Sequence, residues 1–251
     1  MRNVGMVGII VVCLMLGVMG WAQTPQDTLL QAEAAYQQGD YVTAAPLYQS
    51  LIDSGFQSAA LYQNLGSSYY QMGELGWALL YLRRAQVLDP RYRPLEINLR
   101  FVLEERIDRL NGEAELIDSL GTLTNDLLTL EELAWITFGL WTLWFGLVAQ
   151  SVLNTRWRGR LRILVAGMGV VLLICVALLL VRSYVTYQRP PAIVTALSAQ
   201  VMSGPGEDYL PLYEVYTAAE MRLLDERSGW ARFLLPDGRT GWISLAAVER
   251  V

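Results

Sequence analysis

Two long apolar runs without a single charge, Leu133 to Leu153 and Ile163 to Val181, constrain this chain more than any other feature. A helix of about 20 apolar residues matches the roughly 30 Å hydrocarbon core of a bilayer. Read this way, the runs form a hairpin solvated by lipid; the competing reading is a buried hairpin inside a soluble protein. Composition favours lipid, because 53% of the residues are hydrophobic. Trp135, Trp141 and Trp144 crowd the first half of the first run, and Arg182, Tyr184 and Tyr187 follow the second. Both groups suit a membrane–water boundary.

The segment between the runs, 154–162, carries Arg156, Arg158, Arg160 and Arg162. Short basic loops stay in the cytoplasm, so this loop is expected inside, against anionic lipid or a cytoplasmic protein. Both flanks of the hairpin then lie outside. A third apolar run, Val4 to Gly20, comes after Met1-Arg2-Asn3 and precedes Trp21-Ala22. It reads as a secretory signal cleaved after Ala22, or as an uncleaved signal anchor, and either exports the residues from Gln23 onward. The expected division is a signal at 1–22, a helical module at 23–110 and a linker at 111–132. Membrane helices come next at 133–153 and 163–185 around the loop 154–162, and a β module fills 186–251. The linker reads equally as a fixing helix or a loose tether.

The chemistry of the side chains narrows the function. The chain has no His, and every basic residue is Arg. Histidine-based acid–base catalysis, a Ser-His or Cys-His couple, an imidazole metal ligand and a phosphate-loop or Schiff-base Lys are therefore excluded. The two cysteines, Cys13 and Cys175, each sit in an apolar run and do not make a disulfide framework. With a net charge of −5 and no basic stripe, nucleic acid is not an expected partner. Carboxylate chemistry remains, from Glu104, Glu105 and Asp108 or from Glu113 and Glu115. Arg100, Arg106 and Arg109 interleave with the first group, as on a solvated, salt-bridged helix face. No enzyme activity, metal or cofactor is expected.

Residues 27–110 show helical patterning and an internal period of 34. Gly39 recurs as Gly73, Ala44 as Ala78, Ala32 as Gly66, Tyr48 as Leu82 and Leu51 as Ala85. Small residues suit the close crossing of two antiparallel helices, larger ones fill the gaps, and Gly39 and Gly73 suit left-handed helix ends. The stretch Tyr62-x2-Leu65-Gly66-x2-Tyr69-x8-Ala78-x3-Leu82-x2-Ala85-x4-Pro90 resembles the tetratricopeptide repeat. The resemblance implies repeats at about 25–58 and 59–92, with a partial third unit at 93–110. It also implies a partner-binding groove lined by Glu33, Gln37, Gln63, Asn64, Ser67, Tyr70, Gln71 and Asn98. Carboxylate-clamp binding is excluded, because no cation stands at the clamp positions. Asn64 and Asn98 read equally as groove residues or as local caps and hydrated helix surface.

After Pro190-Pro191 the pattern becomes strand-like. Short apolar runs, Ile193-Val194-Thr195 and Met221 to Leu224, alternate with turn clusters at Ser203 to Gly206 and Pro236-Asp237-Gly238. Residues 192–251 resemble the bacterial SH3 domain, on Val201-Met202-Ser203-Gly204-Pro205-Gly206-Glu207-Asp208-Tyr209, on Gly229-Trp230 and on Pro236 to Ile243. Met202 stands where that family usually has Arg. The resemblance implies an all-β barrel with a candidate surface at Tyr209, Tyr213 and Trp242, where the tryptophans serve either a ligand or barrel packing. The expected fold class is therefore multi-domain, an all-α repeat array, two membrane helices and a terminal SH3-like barrel.

The whole order, signal, two repeats, Asp89-Pro90, Asn98-Leu99, a hydrophobic helix pair and a terminal SH3-like domain, resembles the BatE-type proteins of the Bacteroides aerotolerance group. That resemblance implies a bacterial cell-membrane protein working as a non-catalytic scaffold in the envelope. Implied partners are membrane proteins with von Willebrand factor A domains and a MoxR-type ATPase across the membrane. The competing function is a wall anchor whose barrel grips peptidoglycan.

Overall fold

A computed structural model describes residues 24–108, 128–153 and 158–251, without the side chains of Arg158 and Arg160. The signal segment, most of the linker and Arg156 lie outside the described residues. The chain divides into two compact units, one up to Phe56 and one from Gln57 onward.

The first unit is a helical hairpin of α1 (Pro25–Gln37) and α2 (Tyr41–Asp53). Helix α1 starts on a reciprocal cap: Thr24 Oγ1 accepts from the Asp27 backbone N–H, and the Asp27 carboxylate accepts from the Thr24 N–H. Gly39 turns the chain at φ +77°, and Asp40 caps α2 by accepting from Thr43 N–H. Ala32, Ala44, Tyr48 and Leu51 are buried.

The second unit opens with the same design. Helices α3 (Ala59–Gln71) and α4 (Leu75–Leu88) turn at Gly73, φ +81°. They cross where Gly66 lies under Leu82; a Cβ on Gly66 would stand 3.0 Å from Leu82 Cγ and 3.1 Å from the Ala78 carbonyl oxygen. That closeness accounts for the small residues at the crossing. Tyr62, Tyr69, Trp77 and Tyr81 form a run of stacked rings beside it, the closest pair being Tyr69 and Tyr81 at 5.5 Å. Helix α5 (Pro94–Glu105) buries Leu95, Leu99 and Val102.

Two long apolar helices come next, α6 (Leu130–Leu153) and α7 (Arg158–Gln188), both long and apolar enough to cross a membrane. Helix α6 starts on a capping box: Glu132 N–H donates to Thr129 Oγ1, and Thr129 N–H to the Glu132 carboxylate. The helices are joined in their midst by Trp144, whose indole N–H donates to the Val165 carbonyl at 2.9 Å. Gly169 makes room for the ring, since a Cβ there would lie 3.2 Å from Trp144 Nε1. Trp144 is therefore a helix-to-helix contact, whereas Trp135 is 72% exposed.

Helix α7 is longer than expected at both ends. It starts at Arg158, so Arg158 to Arg162 form its first turns and not a loop. It ends at Gln188 because Pro190-Pro191 cannot continue a helix. Arg182, expected at the membrane–water boundary, is buried in the protein, and its guanidinium donates to the Leu128 carbonyl just before α6.

The C-terminal residues form a seven-stranded antiparallel sheet: β1 (Pro191–Val194), β2 (Ser198–Met202), β3 (Pro211–Tyr216), β4 (Glu220–Arg227), β5 (Trp230–Leu234), β6 (Thr240–Ser244) and β7 (Val248–Arg250). Its order is β3-β2-β6-β5-β4-β1-β7. Every strand contributes to one core around Phe233, Val201, Ile243 and Leu223, so the sheet curls about a single apolar centre. The β4–β5 hairpin turns on Ser228 and Gly229, both at positive φ, with Arg227 opposite Trp230. That is the two-residue turn whose twist suits paired strands.

Candidate functional site

Helix α3 carries most of the predicted groove. Leu65 and Gly66 pack inward on it. Ser67 is only 8% exposed, and its Oγ accepts a hydrogen bond from Asn98 Nδ2 at 3.1 Å. Ser67 and Asn98 therefore join α3 to α5; Asn98 is neither a helix cap nor a free ligand-binding amide. Tyr70 donates to the Glu105 carboxylate at 2.6 Å, which holds its phenol above the ordinary value of 10. Gln63 Oε1 is buried, with no hydrogen-bond partner among the described residues. Asn64 is half-buried and Gln71 exposed, so Asn64, Tyr70 and Gln71 are what this face presents, beside the carboxylates of Glu104 and Glu105. Glu33, half-buried, and Gln37, exposed, lie on α1 in the first unit.

The carboxylates singled out in the sequence separate. Helix α5 ends at Glu105, so Asp108 is off the helix and accepts from the backbone N–H of Tyr216 on edge strand β3 at 2.7 Å. Glu113 and Glu115 lie outside the described residues. Among the described residues, no group of three His, Cys, Asp or Glu side chains comes together as a metal site.

On the sheet, the three aromatic residues have different surroundings. Tyr213 packs against the core with its ring under the Arg239 guanidinium, 4.6 Å away. Burial pushes its phenol up, and the Arg239 charge offsets that only in part. Trp242 is half-buried outside the core cluster, with Arg227 at 5.8 Å from its ring. Tyr209 lies across the β2–β3 loop, where a Cβ on Gly204 would overlap its ring. Each arginine is held in turn by a carboxylate, Arg239 by Asp237 and Arg227 by Asp225. Tyr213 and Trp242 therefore each pair with a guanidinium, the first on the core side and the second outside the core cluster. Of the basic cluster, Arg162 is exposed in the first turns of α7, and Arg156 lies outside the described residues.

Sequence reasoning missed one polar cluster, where the sheet meets α4. Glu220, first residue of β4, receives Arg83 Nε at 2.8 Å and Nη2 at 3.3 Å, and Arg106 Nη1 at 3.0 Å. Burial alone would raise the Glu220 carboxyl; the two guanidinium charges and their hydrogen bonds outweigh it and hold the group below its ordinary value. Nearby, Arg84 donates to the Arg250 carbonyl at 2.6 Å. The pairs are 137 and 114 positions apart, so no local pattern could reveal them.

No protein-family model matches the chain, and no curated protein matches it.

Proposed function

We propose that the chain is a membrane-anchored, extracytoplasmic scaffold of the BatE type. In this reading α1 to α4 are two tetratricopeptide repeats, α5 a partial third, α6 and α7 a two-pass anchor and the sheet an SH3-like domain. The observation that carries the reading is the repeated helical hairpin: two pairs with one turn geometry and one small-residue crossing, 34 residues apart, ahead of two apolar helices. Such hairpins present polar side chains on one face for protein partners. Orientation rests on the arginines at 156–162, which favour the cytoplasm, and on Glu131 and Glu132 at the other end of the anchor. Partners of the fitting kind are envelope proteins, among them membrane proteins with von Willebrand factor A domains, with a MoxR-type ATPase on the far side.

The test is crosslinking in intact membranes and mass spectrometry of the captured proteins, comparing the natural protein with Asn64→Arg/Gln71→Arg. Both residues are accessible on α3. Capture of envelope proteins that the variant loses supports the scaffold. Equal capture by both proteins removes the α3 face from the function.

A second reading is supported by the Tyr213–Arg239 and Trp242–Arg227 pairs, which suit an anionic wall polymer. Isolated sacculi retaining the natural protein, but not Tyr213→Ala/Trp242→Ala, would favour it over the scaffold.

A further inference from the structure

We propose that Glu220, shared by Arg83 and Arg106, is a releasable latch that holds the sheet on helix α4 and so sets the helices α3 to α5 against the α6–α7 hairpin. The inference rests on the membrane reading only for the meaning of that angle; the latch itself stands on contacts inside the second unit.

The sheet has its own core, and that core includes no helix residue. Polar and backbone contacts are among those that join the sheet to α4, beside Ile193 of β1, which is buried outside the sheet's own core. Gly76, near the start of α4, lies against β1 and the β3–β4 turn; a Cβ there would overlap the Val194 carbonyl oxygen and stand 2.7 Å from Thr217 Oγ1 and 2.8 Å from Thr195 Cα. That turn holds Ala218 at φ +63°, a conformation costly for a residue with a Cβ. Next come the Glu220 contacts, then Arg84 with the carbonyl of Arg250 and, at 3.7 Å, the Glu249 carboxylate. A sheet with its own core, tied to its neighbour in part by polar contacts, is an arrangement that lets modules move relative to one another.

Two cations share one carboxylate here, so the contact fails sharply when the carboxylate is lost: both guanidinium groups are left half-buried without their anion.

The seam also closes a circuit. The sheet comes after α7 with only Arg189 and Pro190 between, and the Pro190 carbonyl accepts from Leu223 N–H, which leaves little freedom at that joint. Helix α7 is held to the start of α6 through Arg182 and the Leu128 carbonyl. Glu132 on α6 pairs with Arg91, just beyond α4, at 2.5 Å. The path runs α4, sheet, α7, α6 and back to α4. Opening it at Glu220 leaves the sheet on α7 and the helices tied to it by the remaining contacts, among them Arg84–Arg250 and Asp108–Tyr216, so that their angle about the Arg91–Glu132 contact loosens.

The experiment is spin-label distance measurement on the full chain in nanodiscs, with Cys13 and Cys175 replaced by Ser. Labels go on Val87→Cys and Leu197→Cys, exposed positions on α4 and beyond β1. The natural residues at the seam should give one narrow distance. Glu220→Arg should broaden it toward longer values, and Arg83→Glu/Glu220→Arg should restore it. Gly76→Ala, a change outside the sheet that favours helix formation, should broaden it too. A control pair within the sheet, Leu197→Cys with Glu207→Cys, reports whether the sheet itself stays folded; if Glu220→Arg disturbs it, Gly76→Ala decides. An unchanged α4–sheet distance in both seam variants overturns the latch. Alkaline extraction of the natural protein from cell membranes tests the membrane reading separately, since its release there leaves the distances to judge the latch.

Discussion

Glu220 shows how much a single side chain can determine in this chain. Replacing it with Gln keeps the volume and removes the charge that two arginines share. With roughly a quarter of the side-chain surface still exposed (28%), solvent screens part of the interaction. The expected loss is about 1–3 kcal/mol of stability, read by denaturant unfolding in detergent. The pH dependence has a definite sign. The folded carboxyl titrates below its ordinary value of 4.5, so its contribution is complete above that value and disappears as pH falls through the lower folded value. The gap between natural protein and Glu220→Gln should therefore hold steady near neutral pH and close in acid below 4.5. The charges that face Glu220 are Arg83 from α4 and Arg106 after α5, and both remain cationic throughout. Trp144 offers a second case. Trp144→Phe keeps the ring against Gly169 and removes the bond to the Val165 carbonyl, which should weaken the α6–α7 hairpin by about 0.5–1.5 kcal/mol in a detergent unfolding assay. Neither role was legible in the sequence. The tryptophan's position in an apolar run pointed to a membrane boundary, and nothing near Glu220 in sequence marks its partners.

At the scale of elements, legibility was far better, for identifiable reasons. Gly66 and Ala78 at a helix crossing, and Gly39 and Gly73 at helix ends, satisfy local steric demands that any helical hairpin imposes. The strand signals around Gly229 and Gly238 worked in the same way, through turns that need positive φ. Gly229→Ala should accordingly lower the thermal stability of the sheet by about 1 kcal/mol. The capping box Thr129-x-x-Glu132 was present in the sequence as well and places the start of α6 three residues before the uncharged run begins. Element ends were legible less well. The arginine segment continues α7 because Arg and Leu favour helix and, despite Gly159, no Pro intervenes between Arg158 and Ile163. Of the expected groove residues, Ser67 and Asn98 stand on neighbouring helices and bond to each other. A repeat pattern gives the face on which a side chain lies and not whether a neighbouring helix has already taken it.

The molecule as a whole divides in a way that composition does not suggest. The second helical pair, α5, the apolar hairpin and the sheet fall in one unit, held together by contacts over more than 100 positions. Shifts in pattern along a chain mark where one kind of element ends, and contacts decide which elements act together. If the chain is an envelope scaffold, its helical hairpins and its sheet stand on one side of the membrane and the arginine segment on the other. The direct measurement is reaction of single cysteines with a membrane-impermeant maleimide in intact spheroplasts, on a Cys13→Ser/Cys175→Ser background. Ser54→Cys and Glu207→Cys should react without lysis, and Thr155→Cys only after it. Reaction of Thr155→Cys from outside, or protection of either of the other two, would contradict the account.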